Sequence, residues 1–250
     1  FGKIASFMLI EHRGKCFDLS KPIDIGISLH DGAQLNCYSA PPFASRPVVL
    51  GDFVGDMQQG GLLNYKTVTL NPHGNGTHTE CLSHVYDTPL TINQALKQFH
   101  FLAQLITLIP HKTKENDLVL NTAHVKDKIE PGVNALIIRT LPNDKSKLTR
   151  NYNKTNPPYL EESLATYLNK QGIFHLLVDL PSLDREEDGG KLSAHKAFWG
   201  IPNKLRPSAT ITELIYVPNE VKDGTYLLNL QIAAFELDAT PSKPVLYPQL

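Results

Sequence analysis

A single mixed α/β domain with a high share of β-strand is the fold class predicted here, on three observations. Short apolar or alternating runs of strand length recur along the chain. A segment of helical period sits between two of them, and no linker, internal repeat or low-complexity tract divides the 250 residues. With 41% of residues apolar and 20% charged, the chain is too hydrophobic and too weakly charged for disorder and long enough to bury a sizeable core.

Ile4 to Ile10 and Cys16 to Leu19 run apolar or alternate around Gly14, which predicts an entering β-hairpin. Ile25 to Leu29 continues as a strand before a turn at Asp31-Gly32. The prolines of Ala40-Pro41-Pro42-Phe43 and Arg46-Pro47 cannot continue a central ladder. Asn36 to Pro47 therefore reads as a loop, suited to a substrate lid with Tyr38 and Phe43 as its apolar contacts. Tyr65 to Leu70 alternates as a strand does. Thr91 is placed to cap a helix from Ile92 to Phe99, and Leu102 to Ile109 reads as a buried strand ended by Pro110. A second helix over Thr122 to Lys128 precedes the turn Pro131-Gly132 and the apolar strand Ala135 to Arg139. Leu141 to Pro158 is polar, contains proline and lacks a period, so it reads as an exposed excursion. Leu164, Ala165, Tyr167 and Leu168 make Glu161 to Lys170 an amphipathic helix closed by Gly172, and Phe174 to Leu180 follows as a buried strand. That strand–helix–strand order implies one right-handed crossover. Ile211 to Val217, Tyr226 to Leu230 and Ala233 to Leu237 complete the chain as strands.

The 24 Lys+Arg against 25 Asp+Glu give a formal net charge of -1, and no basic block is present, which excludes a polyanion such as nucleic acid as the expected partner. The longest apolar runs, such as Phe7-Met8-Leu9-Ile10, fall far short of the ~20 residues that cross a bilayer, so no membrane partner is expected. Cys16, Cys37 and Cys81 are an odd number without a repeating pattern and do not form the framework of a small secreted domain. The expected compartment is the cytoplasm, and Cys81 is expected to pack in the core.

The stretch Asn71 to Tyr86, NPHGNGTHTECLSHVY, holds the chemistry. His73, His78, Glu80 and His84 lie within twelve residues, with Gly74 and Gly76 between them, and imidazole with carboxylate is the donor set that zinc or manganese prefers. His78 and Glu80, two apart, point to one side of an extended segment. Glu80 and His84, four apart, share a face if the chain turns helical. For any one histidine alone a polar surface turn is the plainer alternative, and the clustering is what favours a metal. A complete site needs a second cluster, for which His195, after the acidic glycine loop Arg185 to Gly190, and Glu213, within an apolar strand, are the candidates. His195 is expected exposed there, and Glu213 is either on the solvent face or buried with a partner. Asp179 and Asp184 either orient His195 or cap a turn, and Trp199 either packs in the core near it or floors a substrate pocket. His12, His30, His100, His111, His124 and His175 have no comparable neighbours.

Gly76-Thr77-His78-Thr79-Glu80 followed by His84 resembles the HxGTHxDxPxH motif of the cyclase family of metal-dependent hydrolases, which includes bacterial kynurenine formamidase (arylformamidase). Phe17 to Ile23 resembles that family's opening strand, and Gly60 to Asn64 lies where the family runs into its metal strand. Val178 to Asp184 with Ala194-His195-Lys196 is similar to its DxxSxD...aHr segment. Glu213-Leu214, Gly224 to Tyr226 and Pro241 to Val245 resemble its C-terminal carboxylate and closing strands. The resemblance implies a swivelling β/β/α fold, a homo-oligomer (dimer or tetramer), and one or two divalent ions, zinc first and manganese second. It implies His78, Glu80, His195 and Glu213 as ligands, with His73, and a catalytic centre of Glu80 and His84, the latter shuttling a proton. The implied reaction is hydrolysis of a carboxamide, a formamide of the N-formylkynurenine type met in tryptophan catabolism, or an ester, on a small-molecule substrate. Three positions depart from the motif: Gly74 replaces a histidine, Glu80 an aspartate and Leu82 a proline. His73 can stand in only if Gly74 and Gly76 re-route the loop. Two rivals are a serine hydrolase using Ser182 or Ser193, neither of which lies in a GxSxG elbow, and a metal- or ligand-binding protein without catalysis.

Overall fold

The computed structural model describes residues 8–32 and 35–250. Gly14, at φ +72°, turns β1 (Leu9–His12) into β2 (Lys15–Asp18) as an antiparallel hairpin. The predicted start of that hairpin, Ile4 to Phe7, lies outside the described residues. No strand runs from Ile25 to Leu29. β3 (Ile23–Asp24) is followed only by an isolated bridge from Gly26 to Ile215, and the Asp24 carboxylate accepts the Gly26 N–H at 3.0 Å. The predicted Asn36 to Pro47 loop is a loop only in part. Its last residues form β4 (Ala44–Pro47), which with β5 (Val49–Leu50), β6 (Phe53–Val54) and β7 (Lys66–Thr69) makes a two-stranded ribbon, β4 against β7 and β5 against β6. Pro47 is tolerated because such a ribbon leaves each strand an open edge.

The histidine motif forms α1 (Pro72–Asn75), β8 (His78–Glu80) and a 3-10 turn, Leu82–His84. Then follow α2 (Ile92–Ala95), β9 (His100–Leu108), β10 (His111–Lys112), β11 (Leu118–Leu120), β12 (Ala135–Thr140), β13 (Tyr159–Leu160), α3 (Glu162–Lys170), β14 (His175–Val178), α4 (Ser193–Trp199), β15 (Thr210–Glu213), β16 (Gly224–Ile232) and β17 (Ala239–Pro248). Seven strands close on themselves in the order β16-β9-β12-β14-β15-β8-β17, with β17 returning to β16 and β3 added along β17. Neighbours from β9 through β15 are parallel and the other pairs antiparallel, so the sheet is a mixed barrel. The predicted crossover is β12–α3–β14, with Ala135 beside His175.

Strand alternation sorts the barrel residues into two cores. Leu102, Ile106, Leu136, Ile138, Leu176 and Val178 pack with Leu164 and Leu168 of α3 and with Phe198 and Trp199 of α4. Residues of the other parity, Ala103, Leu105, Ala135, Ile137 and Leu177, pack with Ile25, Ile92 and Leu228. Leu164 and Leu168 are fully buried, and each contributes about 1.5–3 kcal/mol of hydrophobic stabilisation. Gly172, at φ +78°, lets the chain leave α3 for β14.

Five further expectations are corrected. The helix after Thr91 stops at Ala95, since Leu96 is drawn into the core in an extended conformation, and Thr122 to Lys128 holds only a 3-10 turn, Thr122–His124. Leu141 to Pro158 is not simply exposed. Lys147 is buried within it and reaches Asp179 at 2.7 Å and the Thr140 carbonyl at 2.7 Å, and Asn143 and Tyr152 are buried too. Ala233 to Leu237 is no strand, because β16 continues to Ile232 and these residues make the reversal into β17. The strand begun at Thr210 ends at Glu213, where Leu214 takes φ +54°.

Candidate metal centre

Asn71 starts the site. Its side chain accepts the Gly74 N–H at 3.0 Å, Pro72 occupies the first helical turn, and the Asn75 side chain accepts the Asn71 N–H at 2.7 Å, which together fold residues 72–75 into a turn of helix. That turn is the re-routing the sequence required. It carries His73 to 3.3 Å (Nδ1) from Glu80 Oε2, and its ring stacks on His84 with centroids 4.4 Å apart. A Cβ on Gly74 would lie 2.3 Å from the Ala40 Cβ and 3.0 Å from the Cys37 carbonyl, so this position faces the 35–43 loop rather than the cluster.

β8 presents His78 and Glu80 on one face, both fully buried, while Thr79 on the other face meets Thr212 at 2.8 Å. Antiparallel pairing sets Glu213 beside His78, 3.4 Å from its Nε2. Glu213 is thus buried rather than solvent-facing, and its Oε1 accepts the Leu183 N–H at 3.0 Å. His195 is not exposed as expected. It lies buried on α4, with Nε2 3.0 Å from Glu80 Oε1 and 3.4 Å from Glu213 Oε1, and its ring is 5.7 Å from Trp199. The six candidate residues therefore converge: His73, His78, Glu80, His84, His195 and Glu213.

Each of the four histidines is anchored through one ring nitrogen by a group that accepts a hydrogen bond, which turns the other nitrogen toward the carboxylates. His78 Nδ1 donates to the Gly76 carbonyl at 2.9 Å, and His195 Nδ1 to Asp184 at 2.5 Å. His73 Nε2 and His84 Nδ1 both reach Asp238 Oδ2, at 2.9 and 3.0 Å. Second partners of this kind fix the tautomer and ring orientation of histidines that bind metals. Asp184 also accepts the Ala194 N–H, so it caps α4 as well as orienting His195, whereas Asp179 is committed to Thr140 and Lys147.

Whether the donors fit a cation is tested by what they lack. His78 Nε2, Glu80 Oε1 and Oε2, and His195 Nε2 are buried with no hydrogen-bond partner, half of the eight such atoms among the described residues. His195 Nε2 and Glu80 Oε1 approach to 3.0 Å without the alignment of a hydrogen bond. Unpaired lone pairs at this depth cost several kcal/mol in sum unless something positive sits between them. The local field makes the same demand. Burial opposes ionisation of Glu80, yet His84 and His195 outweigh it and hold its carboxyl well below the usual range. Burial would likewise depress His195, but Glu80, Asp184 and Glu213 raise it well above an ordinary imidazole. Against the same burial, Asp238 and Glu80 raise His73 to about 10. The geometry suits a cation with nitrogen and oxygen ligands, and groups such as His73, His78 and Glu80 or Glu80, His84 and His195 have donor atoms close enough to share one.

Asp238 is the site residue that sequence reasoning missed. It lies directly before β17 and is brought in by strand pairing, Ala239 opposite Glu80, with no local signal of its own. Cys81 stays outside the cluster: its thiol is buried and contacts the Ser83 hydroxyl at 3.2 Å. Tyr38 donates to the Pro181 carbonyl at 3.0 Å, closing the 35–43 loop over the Asp184 side of the site. Ser182 accepts the Asp184 N–H, and neither it nor Ser193 hydrogen-bonds a histidine side chain among the described residues.

Comparison with known proteins points the same way. Residues 17–185 match the family model described as "Putative cyclase". The chain is 24% identical over 235 residues to a kynurenine formamidase of Bacillus anthracis, covering 94% of this chain and 98% of that protein. Of solved structures, one described as a potential metal-dependent hydrolase with cyclase activity superposes with a TM-score of 0.65 at 16% identity, over 91% of this chain and 97% of its own. Isatin hydrolase A from Labrenzia aggregata gives 0.66 at 12%, over 92% and 94%. At these identities the structures show a shared fold. No helix of the described residues is long and apolar enough to cross a membrane. With the family match running from β2 to the loop that carries Asp184, well over half of the chain, this protein belongs to the cyclase family.

Proposed function

We infer that the protein is a metal-dependent hydrolase acting on a small carboxamide, formamide or ester. The observation that carries this reading is the set of four buried ligand-type atoms without hydrogen-bond partners, on His78, Glu80 and His195, beside Glu213. His78, Glu80, His195 and Glu213 would hold one cation. His73, with Nδ1 3.3 Å from Glu80, would contribute to holding a second if two are taken up. Zinc is the expected metal, manganese the alternative, since both accept imidazole and carboxylate together.

When bound, the cation supplies a nucleophile at neutral pH, by lowering the pKa of water from ~16 toward ~7, and polarises the substrate carbonyl. The chain's own residues do the rest. Asp238 accepts the His84 Nδ1 proton, leaving Nε2 free on the side of Glu80, where it can take a proton from the attacking water and return it to the leaving amine or alcohol. Asp184 keeps His195 in the tautomer whose Nε2 is a donor of electrons rather than protons. The 24% identity to a kynurenine formamidase makes aryl formamides the first substrates to try.

The test is elemental analysis of protein purified without chelator, on wild type and His78→Ala in parallel, with hydrolysis measured across formamides, amides, lactones and esters. One or two ions per chain, lost together with turnover in the variant, are expected. Wild-type protein that takes up no metal after reconstitution would overturn the reading, and stoichiometric metal without turnover across the whole panel would leave a binding protein.

A further inference from the structure

Three consecutive residues, Leu183 to Arg185, each hold a different part of the molecule. The Leu183 N–H donates to Glu213 Oε1 at 3.0 Å. Asp184 accepts from His195 Nδ1 at 2.5 Å and from the Ala194 and His195 N–H groups at 2.7 and 3.1 Å. Two of the candidate ligands therefore take their positions from this one segment. Arg185, the third residue, grips Asp117, with Nε 3.0 Å from Oδ2 and Nη2 3.5 Å from Oδ1.

Asp117 directly precedes β11, in the separate three-stranded sheet β10-β11-β13. A carboxylate at the start of a short strand is ordinarily solvated, yet Asp117 is only 8% exposed. Besides the two Arg185 nitrogens it accepts from the Tyr159 hydroxyl at 3.0 Å and from Asn156 Nδ2 at 2.7 Å. Tyr159 pairs with Val119 in the parallel β11–β13 ladder, and the next residue, Leu160, donates its N–H to the Leu183 carbonyl at 2.8 Å. Glu186 completes the attachment by accepting the Lys154 and Asn156 N–H groups at 2.5 and 2.9 Å. The small sheet is thus fastened to residues 183–186, and Asp117 is the charged point of the fastening.

The Arg185 side chain is 42% exposed, so water can take over its charge when Asp117 is lost, and such a pair contributes little to global stability. A two-point contact between a planar guanidinium and a carboxylate does fix direction as well as distance. The peptide that follows Asp184 is held by it, and groups that orient metal ligands need placing to within about 0.5 Å. We propose that Asp117 is a positioning residue for the metal centre, acting through Arg185 and Asp184 on His195. The inference rests on the metal-binding reading of the site and extends it to a residue that touches no candidate ligand.

Zinc affinity of the full chain, measured by competition with a chromophoric chelator, tests it. Asp117→Asn and Arg185→Gln should each weaken zinc binding about 10-fold, the low end of the effect of an outer partner, with circular dichroism unchanged. The double variant should lose no more than either alone, because both break the same contact. In an Asp184→Asn background, Asp117→Asn should add less than about 2-fold, a coupling that a general loss of stability would not produce. Glu130→Gln, which breaks the Lys15–Glu130 ion pair, is the control and should bind zinc as wild type does. Wild-type affinity in both Asp117→Asn and Arg185→Gln would overturn the proposal alone, as would a 10-fold loss that persists without Asp184. Wild-type protein that binds no zinc would overturn the metal reading and this inference with it.

Discussion

Replacing Gly74 by histidine restores the residue that the family motif carries at this position, yet the fold predicts loss rather than gain. The first side-chain carbon would come within 2.3 Å of the Ala40 Cβ and 3.0 Å of the Cys37 carbonyl, and neither neighbour is the movable end of a long side chain. The turn 72–75 or the 35–43 loop must shift, and Cys37 N–H to the Gly74 carbonyl, at 3.0 Å, is the bond between them that suffers first. Overpacking of this kind costs about 1–3 kcal/mol. For a domain of this length, that amounts to a fall of about 2–12 °C in the midpoint of thermal unfolding. The assay is thermal unfolding of metal-stripped Gly74→Ala and Gly74→His, so that ligand linkage does not enter. Gly74→Ala should be rescued in large part by Ala40→Gly, because that pair removes the shorter of the two contacts, and the coupling in the double-mutant cycle should exceed about 1 kcal/mol. A Gly74→His protein with a wild-type midpoint and more bound metal would refute the argument. It would mean that the turn opens and that His73 is not the residue presented to Glu80.

The sequence announced the site more completely than the fold. His78, Glu80 and His84 are close neighbours whose spacing alone predicts a shared side, and the structure places them so. His195 and Glu213 were only candidates until the resemblance made them ligands, because their approach depends on α4 and on the β8–β15 register. The expected exposure of His195 was wrong for a physical reason: an acidic loop precedes it, but α4 turns it inward beneath Asp184. Asp238 was illegible, since a carboxylate before a strand is common and only the β8–β17 pairing reveals what it touches. In the fold, long apolar strands such as β9, β12 and β14 were readable because burial on both faces leaves a continuous apolar run. The ribbon was only half readable. β7 alternates, but β4 carries a proline and has no buried face, so nothing in its own residues distinguishes it from a loop. Lys147 was misplaced because the charge that buries it, Asp179, lies 32 residues away.

Three further outcomes follow from the site and the barrel. His84→Ala should retain wild-type metal while turnover falls about 10²–10⁴-fold, the usual share of a general acid–base group; metal lost together with activity would make His84 a ligand. Asp238→Asn should lower kcat about 10–100-fold at saturating metal, since one carboxylate oxygen orients both His73 and His84; unchanged kcat would show that the stacked rings hold their own orientation. The third outcome concerns stability rather than turnover. His175 is buried against Phe101, with ring centroids 3.8 Å apart, and its Nδ1 meets the Thr210 hydroxyl at 2.9 Å. Burial, and secondarily Arg206, push its pKa down from 6.5 to about 3. The folded chain therefore refuses a proton that the unfolded chain accepts, so above the unfolded pKa His175 has no effect on stability. As pH falls below about 6.5 it favours unfolding by about 1.4 kcal/mol per unit, until the folded ring titrates near 3. His175→Gln removes this proton uptake and leaves the other titrating groups in place. Between pH 6.5 and 5 the wild type should thus lose about 2 kcal/mol more than the variant, read from denaturant midpoints. Parallel losses in the two proteins would mean that His175 takes up its proton in the folded state, through an opening of the barrel beside Phe101.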